Sequence, residues 1–366
     1  MLNEQFTNDY DFRINANGAG FLYQIAKKKY NFSFGSNLAY QQYRQRNNLK
    51  DSSFTYYRTN LFPKVTFRYN FKPTTTLEVR YDGRTQQPTI QQIQPVPDNN
   101  DPLNVYTGNQ DLKPAFNHSF NVFLTNFKVL KERFIYFYGF STVTQNAITS
   151  NNTVDESGRK IYQSVNANGI YSYGTGLGYQ MKIASKMRMD FSAGNSAVKF
   201  INFVNNEKNS TSNNTYNARI GGRYAIENQM GINVRAIVDY NTSISSIRKD
   251  VKTKYWTTRY ELETYKELPF KFAVASEVYF NFRQKTSVFD KNTNTIIWNG
   301  WVSRRLFKET CSLKFSINDI LNQNLGLRRD IQSNFISENT YSVLRRVWLL
   351  SFTWNFTKNS GQQQNQ

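Results

Sequence analysis

The sequence predicts an all-β fold, a transmembrane antiparallel β-barrel, from three observations. Apolar and polar residues alternate with a period of two along most of the 366 residues, so each strand has one apolar face and one charged or amide face. Several alternating segments exceed the ~5–6 residues of soluble strands and reach the ~9–11 residues of membrane strands. Aromatic residues make up 16% of the chain although its mean hydropathy is -0.65, as lipid-facing rings around a polar interior require.

Composition and charge exclude several classes of protein. The longest apolar run, near 347–352, is far shorter than the ~20 residues of a membrane helix. One Cys excludes an internal disulfide or a thiolate metal cluster, and one His excludes a multi-histidine site. The formal charge of +20 means that acidic partners must be considered. Residues 1–6 have neither a basic region nor an apolar run, so we expect any export signal to lie outside this sequence.

The alternation places the strands in chain order. The first is expected at Tyr10–Ala26, and other long strands at 30–46, 187–203 and 231–247. Shorter alternating segments are found at 65–71, 77–81, 115–127, 134–140, 270–282, 311–317 and 348–356.

Connections between the strands alternate in length. Short ones fall near 27–29, 72–74, 130–132, 184–186, 227–229, 266–269 and 308–310. Long polar ones fall near 47–57, 84–114, 146–160, 204–213, 247–253, 285–294 and 322–341. Outer-membrane barrels have short periplasmic turns and long outer loops, so the short connections are expected to be periplasmic. The count is roughly fifteen strands, an odd number that predicts the C-terminal portion of a longer barrel.

Aromatic rings are expected at the lipid-facing ends of several strands, where an apolar ring body meets a polar edge. One such series is Phe134, Tyr136, Tyr138 and Phe140. The last strand carries a second series, Phe352, Trp354 and Phe356, which resembles the C-terminal signal read by the barrel-insertion machinery. That machinery is therefore an expected partner.

An ordered set of short motifs resembles a known family. Leu-Phe-Pro-Lys at 61–64, Arg-Tyr at 80–81 and Gln-Gln-Pro at 86–88 precede Gly-Asn-Gln-Asp-Leu-Lys-Pro-Ala at 108–115. With Asn-Asp at 318–319, this order resembles the barrel of TonB-dependent outer-membrane receptors, and more closely the outer membrane protein beta-barrel family of Bacteroidota. Gln110 and Ala115 replace the usual Pro and Glu of the family element. The resemblance extends from about residue 11 to 356.

The resemblance implies a 22-stranded barrel that holds an N-terminal plug. Residues 1–357 would then form the C-terminal portion of that barrel, with no plug domain in this chain, and residues 358–366 a disordered polar tail. The implied function is to bind and import a bulky solute through external loops, with the TonB energy-coupling complex acting through a plug that precedes the chain. A non-transporting structural or interaction barrel remains the alternative. A soluble β-sandwich adhesin is the third candidate.

Charged residues on the polar sides of the strands are the candidate site. Charges facing lipid cost several kcal/mol at mid-depth, so these side chains are expected to face the lumen. They would form either a hydrated wall or a surface for a substrate or plug: Arg68, Arg80, Asp82, Arg235, Asp239, Arg259, Glu261, Glu277 and Arg283. A structural role is expected for the family-motif residues Gly108, Asn109, Leu112, Lys113, Pro114, Asn318 and Asp319.

No catalytic site, metal site or cofactor is expected. His118 shares the apolar register of Phe116 and Phe120 with no catalytic partner, and Cys311 is expected to be a small lipid-facing hydrophobe. Nucleic acid is not an expected partner, because single-strand binders place cations and aromatic rings on one face. Cations at strand ends, such as those at 27–29 and 304–305, instead indicate outer-membrane lipid and lipopolysaccharide as partners.

Overall fold

The computed structural model describes residues 9–48, 51–93, 104–248, 252–286, 293–307, 310–331 and 336–355. These residues form an all-β structure with one short α-helix, Ile90–Ile93, and two 3-10 turns. Within the described part of the chain, no helix is long and apolar enough to span a membrane. The strands, in chain order, are β1 Tyr10–Ala26, β2 Tyr30–Asn47, β3 Ser52–Lys72, β4 Thr75–Gln86, β5 Asn104–Thr107, β6 Ala115–Lys128, β7 Arg133–Gln145, β8 Ala147–Val154, β9 Lys160–Ala167, β10 Ile170–Ala184, β11 Met187–Val204, β12 Glu207–Ile226, β13 Met230–Ser245, β14 Lys252–Leu268, β15 Phe272–Arg283, β16 Thr295–Leu306, β17 Cys311–Asn318, β18 Leu327–Ile331, β19 Ile336–Thr340 and β20 Val347–Trp354.

Eighteen strands belong to one sheet, and β18 and β19 form a separate hairpin. In the main sheet, β5, β8 and β9 are short strands in the connections. The other fifteen form a continuous antiparallel meander, in which β4 pairs with β6, β7 with β10 and β17 with β20. Alternation predicts the meander strands wherever one of their two faces is apolar. It does not predict the five short strands, which lack that pattern.

The first and last strands of the meander are each paired along one edge only. β1 pairs with β2, and β20 pairs with β17. No pairing between β1 and β20 is present among the described residues. The outer edges of both strands therefore present unpaired backbone groups.

Two connections predicted as long polar loops are tight hairpins, so those predictions were wrong. β11 and β12 run to Val204 and from Glu207, and the turn between them is Asn205 and Asn206 with φ of 50° and 66°. Asparagine tolerates positive φ, and two such residues match the twist of antiparallel strands. Likewise, β2 ends at Asn47 and β3 begins at Ser52. The expected loops at 204–213 and 47–57 are therefore mostly strand.

The sheet has two chemically different faces, which follow from the register. Residues directly opposite each other in paired strands lie on the same face. The charged face contains Arg68, Glu78, Arg235 and Glu261 as opposed pairs. The apolar face contains residues such as Leu38, Val234, Leu262 and Phe315, all more than a third exposed in the isolated chain.

Candidate functional site: the charged face

All nine predicted charged residues lie on the charged face of the meander. Across seven neighbouring strands, each residue of one row lies directly opposite the next, so the whole row is on one face. The row is Arg80, Asn121, Phe140, Gly174, Ser196, Thr215 and Asn241. On β4, Asp82 lies on the same face as Arg80. On β13, Asp239 lies on the same face as Asn241. The face continues through Arg259 and Glu261 of β14 to Glu277 and Arg283 of β15. Their contact with a substrate or plug stays a prediction.

Glu261 is the centre of the charge network. Its side chain is nearly buried, at 8% exposure. Glu261 Oε2 lies 2.5 Å from Arg235 Nη1, and Glu261 Oε1 lies 3.8 Å from Arg259 Nη1. Next to it, Asn233 Nδ2 donates to Glu263 Oε2 at 3.2 Å, although Glu263 lies directly opposite Glu277. The network therefore combines compensated and uncompensated carboxylates, as a hydrated wall permits.

Other charges on this face are also paired. Glu78 forms an ion pair with Arg80, and Lys64 Nζ lies 4.0 Å from Asp82 Oδ1. Thr257 Oγ1 donates to Asp239 Oδ2 at 3.3 Å, and the Arg283 guanidinium lies 4.3 Å from the centre of the Tyr255 ring.

A polar cavity of about 400 Å³ lies on the charged face where β10–β13 approach their short turns. Its lining includes Arg188, Asp190, Arg223 and Arg235, with Gly221 as part of its floor. Arg219 Nη2 lies 3.2 Å from Asp190 Oδ2, so part of the positive charge is compensated. The lining is therefore polar and mainly cationic.

Phe134, Tyr136, Tyr138 and Phe140, here called the aromatic ladder, lie on the charged face. Their partners on β6 include Asn121, which lies opposite Arg80. The prediction that these rings face lipid was therefore wrong. Gly174, Gly176 and Gly178 of β10 lie opposite Phe140, Tyr138 and Tyr136. A Cβ at these glycines would lie 2.4, 2.7 and 2.1 Å from ring atoms, so the rings lie against glycine backbone.

The family-motif segment is fixed to β9 by asparagine side chains. Asn109 Nδ2 donates to the Ser164 carbonyl at 3.1 Å. Asn166 accepts from the Lys113 N–H at 2.8 Å and donates to the Lys113 carbonyl at 2.9 Å. Leu112 is 3% exposed, Gly108 is buried, and Pro114 directly precedes β6. These contacts tie the segment to the strand ends opposite the short turns, and its structural role stays a prediction.

Asp319 organises the loop that follows β17. It has φ of 51° and is 3% exposed, and Asn318 is the last residue of the strand. The Asp319 carboxylate accepts from the N–H groups of Gln323 and Asn324, both at 2.9 Å. The Asp319 N–H donates to Asn299 Oδ1 at 2.9 Å.

We expect Asp319→Ala to destabilise the protein by about 2 kcal/mol, because two N–H groups lose their acceptor in a buried site. Asp319→Asn keeps one acceptor oxygen and should lose about half as much. The free energy of unfolding, measured by urea titration in detergent micelles, checks this. Equal stability of the alanine variant and the unaltered protein would contradict the capping role.

The turn between β8 and β9 is held by Asp155. Hydrogen bonds from Ser157, then from the Arg159 side chain and backbone, lower the pKa of Asp155 to about 2. Such a carboxylate stabilises the turn fully above its unfolded pKa of about 4 and loses this effect as pH falls to about 2.

Trypsin cleavage after Arg159 is therefore expected to be about fivefold faster in Asp155→Ala, because the turn loses its anchoring hydrogen bonds. Glu156→Ala removes the neighbouring carboxylate and should cleave at the unaltered rate. Equal cleavage of the two variants would refute the anchoring role. In the unaltered protein, the protection factors of the turn amides, which are corrected for the intrinsic pH dependence of exchange, should fall only below about pH 4.

At the opposite end of the sheet, Glu132 joins the β6–β7 turn to the two strands that flank the β10–β11 turn. Lys182 Nζ lies 2.5 Å from Glu132 Oε1, and Arg188 Nη2 lies 2.7 Å from Oε2. The hydrogen bonds from Lys182 and then Arg188 lower the pKa of Glu132.

His118 and Cys311 have simple surroundings. The Tyr81 hydroxyl lies 3.0 Å from His118 Nδ1, a partner that the sequence did not predict. Cys311 is 5% exposed and opposes Trp354. Within the described residues, no group of three or more His, Cys, Asp or Glu side chains is arranged to hold a metal ion.

Phe352 and Trp354 lie on the apolar face of β20 at 60% and 56% exposure, whereas Phe356 and the tail at 358–366 lie outside the described residues.

Asn209 is a polar centre that the sequence did not predict. It is fully buried, and its amide bonds Asn202 at 3.0 Å and Ser245 at 2.8 Å, which ties β12 to both neighbours. It lies within an asparagine-rich segment whose composition predicts a loop, so composition does not indicate this role.

Comparisons with known protein families and solved structures place the fold among outer-membrane barrels. The profile of a family described as the outer membrane protein beta-barrel family matches residues 1–211. No curated protein sequence matches the chain. Among solved structures, the chain is similar to OmpTdeltaL8, a loop L8 deletion mutant of OmpT, an outer membrane protein of Vibrio cholerae. The identity is 10%, over 81% of this chain and 97% of that chain, with a TM-score of 0.30.

Proposed function

Since this chain belongs to the outer membrane protein beta-barrel family, we propose that it forms the wall of a TonB-dependent receptor-like transporter that binds a bulky solute at its outer loops and imports it. The predicted location in the outer membrane is confirmed by the family. For the same reason the soluble β-sandwich adhesin is excluded.

The observation that carries the proposal is the breadth of the charged face. It extends across the meander, with ion pairs and amides in place of a packed core. Small barrels fill their interior with side chains, whereas wide barrels enclose water or a plug. A wall of fifteen or more strands is wide enough for a bulky solute or for a plug domain.

In this proposal the fifteen meander strands are the C-terminal part of a 22-stranded barrel. The unpaired edges of β1 and β20 support it, because a membrane strand must satisfy its backbone groups on both sides. The TonB energy-coupling complex would act through an N-terminal plug. The barrel-insertion machinery would read Phe352, Trp354 and Phe356.

Planar-bilayer conductance of the whole protein purified from its host tests the transporter. A plugged wide barrel should conduct little in buffer and open in large reversible steps as urea unfolds the plug. Unchanged conductance across the titration would reject a plugged transporter. In parallel, strains lacking this gene and strains lacking the energy-coupling complex should both fail to grow when the same nutrient is limiting.

A non-transporting interaction barrel is the second candidate. The ordered outer connections favour it, because Asn166 and Asp319 fix the surface they present. Under this alternative, deletion would alter surface assembly with no nutrient defect shared with the energy-coupling strain.

A further inference from the structure

The apolar face of β1–β3 changes character in layers along the strands. Phe21 and Phe34 lie in its apolar layer, with ring centres 5.9 Å apart. Toward the longer connections, Tyr40 and Tyr57 stack with ring centres 5.6 Å apart and planes 11° apart, each about half exposed. Stacked, half-exposed tyrosines are typical of the membrane interface.

On the same face, amide groups lie level with Tyr57, and guanidinium groups lie beyond it. Gln42 Nε2 donates to Tyr57 Oη at 3.2 Å, and Asn15 Nδ2 donates to Gln42 Oε1 at 3.4 Å. The next pair is Arg13 directly opposite Arg44. Arg44 is four residues beyond Tyr40, a distance of about 13 Å along the strand. At the usual strand tilt, this corresponds to about 10 Å along the membrane normal. That height corresponds to lipid headgroups.

Arg13 and Arg44 form an uncompensated like-charge pair. Both side chains are exposed, and neither guanidinium has a hydrogen bond or ion pair within the described residues. Opposed like charges destabilise a sheet unless an anion lies between them. The nearest carboxylates lie toward the strand ends, where Asp51 Oδ1 is 3.1 Å from Arg46 Nη2 and Asp11 lies opposite Arg46.

We propose that Arg13 and Arg44 form a binding site for the phosphate of an outer-leaflet lipid headgroup. Two guanidinium forks on neighbouring strands present several N–H donors to one anion, and phosphate oxygens match that geometry. The acyl chains then lie along Tyr40, Tyr57 and the apolar layer below them. The site rests on the proposed orientation, with long connections outside. It does not rest on transport, because it lies on the face opposite the charged wall.

The chain supplies a matched control at the other end of the same face. Lys128 lies directly opposite Arg133 beside a short turn, so it is also an opposed cation pair. The double variant R13Q/R44Q and the double variant K128Q/R133Q remove the same charge from the same face. Only the first is expected to affect binding of outer-leaflet lipid.

Native mass spectrometry of the detergent-purified protein, titrated with a bis-phosphorylated acylated glucosamine lipid, tests the site. R13Q/R44Q should weaken apparent affinity about tenfold, the loss expected for charge-assisted hydrogen bonds. R13K/R44K should lose less than R13Q/R44Q, because it retains the charge and loses the fork. K128Q/R133Q should stay within about twofold of the unaltered protein. The dephosphorylated lipid should bind weakly to all of them, and millimolar inorganic phosphate should not displace the phosphorylated lipid.

Four results would overturn the proposal. The first three are unchanged affinity in R13Q/R44Q, equal losses in the two glutamine double variants, and equal binding of the dephosphorylated lipid. Displacement by inorganic phosphate would mean a general anion site and would also overturn it. A shift in gel mobility on heating shows that each variant is folded, and R13K/R44K remains informative if the glutamine variant does not fold.

Discussion

Gly178→Val is expected to destabilise the protein by about 3 kcal/mol or to prevent its assembly. A Cβ at Gly178 would stand 2.1 Å from Cζ of Tyr136, which lies directly opposite. Either the ring must leave the glycine backbone or the strands must part, and both lose packing across β7 and β10. The free energy of unfolding in detergent micelles, followed by tryptophan fluorescence, measures the effect.

Gly231→Val is the matched control for this variant. Gly231 lies on the charged face opposite Tyr265, and a Cβ there meets no atom within 4 Å. Valine should be neutral or slightly stabilising at that position. The double variant G178V/Y136A should recover part of the loss, since the ring in conflict is absent. Equal losses at Gly178 and Gly231 would show that the ring contact has no special role.

Glu261→Lys is expected to destabilise the protein by about 3 kcal/mol or more. Glu261 is nearly buried between Arg235 and Arg259, so lysine would place three cations together on the charged face. The swapped pair R235E/E261R restores opposite charges and should recover much of the stability. The same urea titration reports the change.

Glu263→Lys makes the same charge change two residues away. Glu263 lies directly opposite Glu277, so lysine replaces a like-charge pair with an opposed one. Its cost should therefore be small, apart from the lost hydrogen bond from Asn233. Equal losses at Glu261 and Glu263 would contradict a wall organised by specific ion pairs.

Most of the strand positions follow from the sequence, because a period of two is strong wherever one face is apolar. The strands expected at 30–46 and 187–203 are observed as Tyr30–Asn47 and Met187–Val204. The prediction fails where both faces are polar, as in the hairpin around Asn205 and Asn206. Alternation contains no signal there, and asparagine content alone does not distinguish a loop from a strand.

The aromatic ladder shows what alternation does not determine. In 133–145 both faces carry apolar residues, so period two identifies a strand without its orientation. The register settles it by placing Tyr136 and Tyr138 opposite Gly178 and Gly176. The sequence did contain a signal, glycine at three alternate positions in the middle of β10. Its meaning depends on which strand lies beside β10, and local sequence does not give that pairing.

Side-chain hydrogen bonds were the least predictable part of the site. Asn166 and Asn209 are central only because distant segments meet at them. The segment before β6 meets β9 at Asn166, and β11 and β13 meet at Asn209. Charges were more predictable, because a charge on the lipid side is costly at any depth near the midplane. For that reason the nine charged candidates share one face, although their sequence separation exceeds two hundred residues.

In the outer membrane, the charged face should meet water and the apolar face should meet lipid. Cysteine scanning of β13 in outer membranes, at positions 234 to 238 in a Cys311→Ala background, tests this most directly. A charged maleimide should label the variants at Arg235 and Ile237 quickly. A lipid-soluble quencher should instead reach a probe at Val234, Ala236 and Val238. Uniform labelling, or fast labelling at the even positions, would contradict the account.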